Sequence, residues 1–187
     1  YADNLVFSEN AIERAVDAIR NGASIVTDTQ MGRAGINKKR VARYGGEVYC
    51  FMSDEDVAEA AKKNGTTRAA ASMDKAADMY KAAQTKEEAA TSDGKSKPEA
   101  GIRNARLIFA VGNAPTALVR LYELIKEGVV RPELIIGVPV GFVNVVQSKE
   151  LILSLDDTPY IVARGRKGGS NIAACICNAL LYMLNNE

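Results

Sequence analysis

The chain contains no histidine and no tryptophan. The missing histidine removes the commonest general acid–base group and the commonest metal ligand. It also excludes Ser–His and Cys–His nucleophilic pairs among these residues. Cysteine is scarce: only Cys50, Cys175 and Cys177. An odd number without metal-ligand spacing argues against a disulfide scaffold or a zinc site and for reduced thiols in a cytoplasmic protein. Cys175 and Cys177 fall within an apolar helical pattern, where packing is the simpler role. No apolar run reaches the roughly 18 residues of a membrane span. The opening Tyr1-Ala2-Asp3-Asn4 has no signal-peptide pattern, and it does not begin with Met. An excess of one charge is lacking too. Lys plus Arg is 24 against 23 for Asp plus Glu, so overall charge directs the chain to neither nucleic acid nor a membrane surface. There is no GxxxxGKS or GxxxxGKT, hence no P-loop, and no GxGxxG follows a strand.

What is present reads as one domain. The 187 residues are 47% hydrophobic and 25% charged, enough for a sizeable core. Short apolar runs at 23–28, 47–51, 107–111, 134–138 and 160–163 predict five strands. Three-to-four spacing predicts helices over about 11–21, 55–63, 68–83, 115–127, from Ser148 onward, and 171–184. Residues 84–101 are polar and predict an exposed, flexible insertion. The β–α alternation argues for a three-layer α/β/α domain with a five-stranded, mostly parallel sheet. Ligands of such sheets bind at the carboxyl ends of the strands.

Gly112-Asn113-Ala114-Pro115-Thr116-Ala117-Leu118 is the sharpest such turn. Gly112 permits a close approach or a positive φ, Asn113 or Ala114 stands at the N-cap, and Pro115 suits the first helical turn. A helix N-terminus with open N–H groups favours an anion. The plainer alternative is a well-made turn that binds nothing. Arg33, Arg68, Lys149, Arg164, Arg166 and Lys167 all fall in or beside loops of the same edge. Singly, each reads as a solvated surface cation. Jointly they predict a ligand with several anionic groups.

Ile25-Val26-Thr27-Asp28-Thr29-Gln30-Met31, Gly35-Ile36, Thr67-Arg68, the Gly112–Leu118 turn, Gly137-Val138-Pro139-Val140-Gly141-Phe142-Val143, Ser148-Lys149-Glu150 and Gly165-Arg166-Lys167-Gly168-Gly169-Ser170 occur in that order. Together they resemble the precorrin-8X methylmutase family over nearly the whole chain. The resemblance implies a flavodoxin-like fold, a homodimer and a role in cobalamin biosynthesis. The family moves a methyl group from C-11 to C-12 of a corrin macrocycle, with or without cobalt in the ring. It needs no cofactor, and its tetrapyrrole substrate is fringed with carboxylates. Carried over, the resemblance and the cationic edge together nominate Thr27, Asp28, Met31, Arg33, Thr67, Arg68, Asn113, Ala114, Thr116, Ser148, Lys149, Arg166, Lys167 and Ser170 as substrate-binding residues. Asp28 has an alternative role, bracing its loop.

Two departures stand out. The family's catalytic histidine lies ahead of the matched part, so no catalytic residue is assigned in this chain. Either the chain is a piece of a longer protein, or it is a divergent relative with altered activity. Where the family usually reads Gly-Ala-Ala-Glu-Ser-Lys, this chain reads Asn144-Val145-Val146-Gln147-Ser148-Lys149. The competing reading is a non-catalytic corrinoid-binding paralogue. A flavin- or phosphate-binding domain ranks last, because the loop after the first strand lacks a Ser/Thr-Gly-rich phosphate cradle.

Overall fold

The computed structural model describes residues 2–93 and 105–184. A 3-10 turn at Ala2–Asn4 leads into β1 (Leu5–Phe7), then α1 (Ala11–Arg20), β2 (Ser24–Thr27), α2 (Gln30–Gly35), α3 (Lys38–Arg43), β3 (Val48–Tyr49) and α4 (Glu55–Lys63). The chain continues through α5 (Arg68–Asp93), β4 (Leu107–Val111), α6 (Pro115–Lys126), β5 (Leu134–Gly137), α7 (Val145–Leu153), β6 (Tyr160–Ala163) and α8 (Ser170–Met183).

The sheet has six strands in the order β1-β6-β5-β4-β2-β3, one more than the five expected. The five expected strands are all there and all parallel to one another. The addition is β1, antiparallel to β6 with Leu5 opposite Ala163. Three residues are too few to show an alternation, so only the pairing reveals it. Ser8 fixes that edge. Its Oγ accepts from the Tyr160 amide, and α1 starts after Asn10 with no side-chain cap. Without β1, the parallel strands follow the flavodoxin-like order, which reverses direction between β2 and β4.

Alternate residues of each strand feed two cores. Leu107, Phe109 and Val111 pack with α4, α5, α6 and α7. Ile108 and Ala110 pack with α1, α3, α8 and Ile36, just after α2, on the other face. All five residues of β4 are buried, as a central parallel strand requires.

Two short helices lie where the sequence reads as loop. Thr29 Oγ accepts from Gly32 N to start α2, and Asn37 Oδ1 accepts from Arg40 N to start α3. α5 continues through the first part of the expected insertion, as far as Asp93. Residues 84–93 contain alanine, lysine and glutamate but no glycine or proline, so nothing stops the helix there. The remainder, 94–101, lies outside the described residues. No helix among the described residues is long and apolar enough to cross a membrane.

Candidate functional site at the carboxyl edge of the sheet

The strand order reverses between the parallel neighbours β2 and β4, so the loops that follow them diverge and flank a crevice. Asp28 sits in that crevice, directly after β2, and is 1% exposed. Its Oδ1 accepts from Gly112 N at 2.8 Å, and its Oδ2 accepts from Asn113 N at 2.8 Å and Ala114 N at 2.6 Å. The helix start expected to offer open amides to an anion therefore holds the protein's own carboxylate. Ala114, the N-cap residue, has no side chain able to take that role. Burial raises the Asp28 carboxyl above its ordinary range, and the three backbone donors oppose the rise. Asp28 braces the crevice; it does not line it.

Gly112 permits this geometry through close approach rather than positive φ. A Cβ there would lie 2.6 Å from the Ser170 Cα and 2.9 Å from the Gly169 carbonyl carbon. The loop after β4 thus rests against the start of α8. Thr29 ties the neighbouring loop in by donating its hydroxyl to Ser170 Oγ at 2.8 Å.

A second brace comes from α7. Lys149 has no solvent exposure, and its Nζ donates to the Gly165 carbonyl at 2.8 Å and the Lys167 carbonyl at 2.9 Å. Burial pulls the ammonium down to about 8. Ser148 is equally hidden and donates to the Val145 carbonyl. Both were expected among the substrate-binding residues, and both point inward. The helix begins at Val145, earlier than a Ser148 cap would place it, and that turns them to its buried face. Thr27 is likewise buried. Its hydroxyl lies under Gly32 and has no hydrogen-bond partner.

The remaining expected residues reach the surface. Thr67 Oγ accepts from Ala70 N to cap α5, and the Thr67 and Thr116 hydroxyls lie 2.9 Å apart, joining the starts of α5 and α6. Arg68, Asn113, Arg166 and Lys167 are exposed, and Ala114 and Ser170 are partly so. Arg33 is exposed but anchored, its Nε donating to the Val48 carbonyl at the β3 edge. Met31 is 69% exposed and lines a groove between α2 and α8 with Cys175 and Tyr182. The structure thus separates the nominated set into hidden braces (Thr27, Asp28, Ser148, Lys149) and a presented surface. Sequence reasoning missed Phe142 and Val143, which are 83% and 77% exposed in the loop after β5. Their signal was an apolar pair on a glycine-bearing loop at this same edge.

A separate hollow of ≈ 670 Å³ opens at the amino ends of β5 and β6, lined by Arg14, Tyr80, Arg131, Glu133, Asp156 and Thr158 among others. None of the nominated residues reaches it, and parallel sheets place their ligands at the opposite edge.

A doubly wound sheet with braced, cation-bearing loops at its carboxyl edge defines an α/β protein of the flavodoxin-like class. Residues 1–183 match the model of the precorrin-8X methylmutase family, and the chain belongs to that family. It is 43% identical over 183 residues to the cobalt-precorrin-8 methylmutase of Priestia megaterium, which covers 98% of this chain and 70% of the relative. The cobalt-precorrin-8 methylmutase of Salmonella typhimurium is 43% identical over 186 residues, covering 98% and 74%. The crystal structure of precorrin-8X methylmutase from Thermus thermophilus superposes with a TM-score of 0.73 at 32% identity, covering all of this chain and 79% of that one. The family is one of isomerases of cobalamin biosynthesis, and nothing in these matches supports a non-catalytic paralogue.

Proposed function

We propose that this chain binds precorrin-8 or its cobalt form at the carboxyl edge of the sheet and takes part in moving the methyl group from C-11 to C-12. The observation that carries this reading is the exposure of Arg166 and Lys167 on a loop that Lys149 fixes from behind, together with exposed Arg68 at the start of α5, beside the Thr67–Thr116 hydroxyl contact. Guanidinium and ammonium groups suit the substrate's peripheral carboxylates.

The rearrangement is internal: one carbon–carbon bond breaks at C-11 and one forms at C-12, so the product is an isomer. Such a step calls for a fixed substrate shape and control of one protonation. Contacts to the carboxylate fringe, remote from the migrating methyl, hold that shape. Arg68, at the start of α5, and Arg166 and Lys167, after β6, approach the fringe from different loops. The Thr67 and Thr116 hydroxyls and the side-chain amide of exposed Asn113 supply neutral hydrogen bonds between them. The chain itself contributes no histidine.

The same reading includes a homodimer. Met31 on α2 and Tyr182 and Met183 on α8 are exposed apolar side chains that a second copy would cover. The three cysteines are free, in keeping with a cytoplasmic location.

The test is incubation of purified protein with precorrin-8 and, separately, with its cobalt form, following the methyl carbon by NMR. Transfer of the methyl signal to C-12 is expected in at least one arm. Absence of transfer in both arms, with the substrate bound, would point instead to a corrinoid-binding role.

A further inference from the structure

Phe142 is an aromatic ring 83% exposed on a backbone that is not free to hide it. Gly141 before it has φ 140 and Asn144 after it has φ 56, so both ends of the turn use conformations rare for ordinary residues. Two hydrogen bonds zip this loop to the one after β6: Gly141 N donates to the Arg166 carbonyl at 3.3 Å, and Gly169 N donates to the Val138 carbonyl at 2.9 Å. Gly168 lies so close to Val138 that a Cβ there would overlap its carbonyl. The loop opposite is held in turn by the Lys149 ammonium. The guanidinium carbon of Arg166 stands 5.7 Å from the Phe142 ring centroid. Val140 and Val143 extend the apolar surface to either side, 44% and 77% exposed. An apolar patch fixed outward in this way marks a binding surface.

We propose that Phe142, with Arg166 stacked on it, is a substrate-binding unit. The ring and Val143 cover one broad apolar face of the macrocycle, and the guanidinium takes a carboxylate at its rim. This deepens the reading of the carboxyl edge as a corrinoid site and rests on it. The chemistry argues for this occupant over a second copy of the chain. A ring with a cation on its face and another cation, Lys167, beside it complements a molecule that is apolar across its face and anionic at its edge. The stacking also pre-organises Arg166, so less side-chain freedom is lost when the carboxylate is captured.

The experiment is calorimetric titration of the full chain with hydrogenobyrinic acid, the expected product, alongside sedimentation velocity. Phe142→Ala is expected to bind about tenfold more weakly, ~1.4 kcal/mol. Phe142→Tyr keeps the ring and is expected to bind as the parent does. Arg166→Ala is expected to weaken binding as well, and the Phe142→Ala/Arg166→Ala pair to lose less than the product of the two single losses, since the residues act as one unit. Unchanged affinity in Phe142→Ala, with the parent binding normally, overturns this assignment and leaves the corrinoid site standing. Strict additivity of the two changes overturns the coupling of ring and guanidinium. A shift of Phe142→Ala to a smaller sedimenting species overturns the proposal in favour of an interface between copies. No binding by the parent chain removes the corrinoid reading itself.

Discussion

Lys149 and Gly165 are joined by a hydrogen bond of 2.8 Å that starts from an ammonium with no solvent exposure. A cation that sequence alone places at the ligand serves here as a fastener for the loop carrying two other cations. The same inversion holds at Asp28, whose carboxylate occupies helix-start amides otherwise suited to a ligand's anion.

Replacing Lys149 by Met should separate stability from binding. Met removes a charge that is costly to bury and keeps a similar length, and the carbonyls it leaves belong to Gly165 and Lys167, exposed residues that water can reach. The loop, however, loses both fasteners at Gly165 and Lys167. Denaturation midpoints close to the parent's, with affinity for hydrogenobyrinic acid about tenfold lower, are expected from chemical unfolding and titration.

The same lysine predicts a pH dependence. Its proton leaves at about 8 in the folded chain against the ordinary 10.5. Below pH 8 both states carry the proton. Between 8 and 10.5 only the unfolded chain does, so unfolding takes up a proton and rising pH favours the folded state. The parent should therefore gain stability relative to Lys149→Met across this window, by up to roughly 3 kcal/mol. Comparing the two proteins cancels the other groups that titrate there, including Cys177, whose buried thiol is pushed up to about 12. A flat difference between the two unfolding curves would contradict the assignment.

Asp28→Asn keeps the shape of the brace but not its charge. One side-chain oxygen must then serve three backbone donors, while the new NH2 group faces donors of its own kind. A loss of about 2–3 kcal/mol is expected in urea unfolding.

Gly112→Ala should destabilise by about 1–3 kcal/mol, because the added carbon meets the backbone of Ser170, which cannot move aside as a side-chain tip could. Gly128→Ala is the control. Its φ of 72 makes alanine strained, but nothing lies within 4 Å, so the expected cost is only about 1 kcal/mol.

Arg68→Ala should behave in the opposite way to Asp28→Asn. Its side chain is exposed and makes no ion pair among the described residues, so stability should stay within about 0.5 kcal/mol. Product affinity should fall roughly ten- to hundredfold, the worth of one charge-assisted contact. Unaltered affinity would remove Arg68 from the site.

By itself the sequence determined the fold class, the five parallel strands and the edge at which the loops gather, because burial writes its period directly into the order of residues. Leu107 to Val111 could be little else than a central strand, and Gly112 to Pro115 little else than a strand-to-helix turn. The ordered motifs likewise named the family. Tertiary structure decided which polar residues face the ligand and which hold the frame. Asp28 lies 84 residues from Gly112, and Lys149 lies 16 from Gly165. Both contacts depend on folded geometry: Asp28 is brought to Gly112 by strand pairing, and Lys149 to Gly165 by the turn of α7. A buried carboxylate or ammonium has the same letter as an exposed one. Only the donors and acceptors that the fold brings within 3 Å of it decide whether it greets a substrate or fastens a loop.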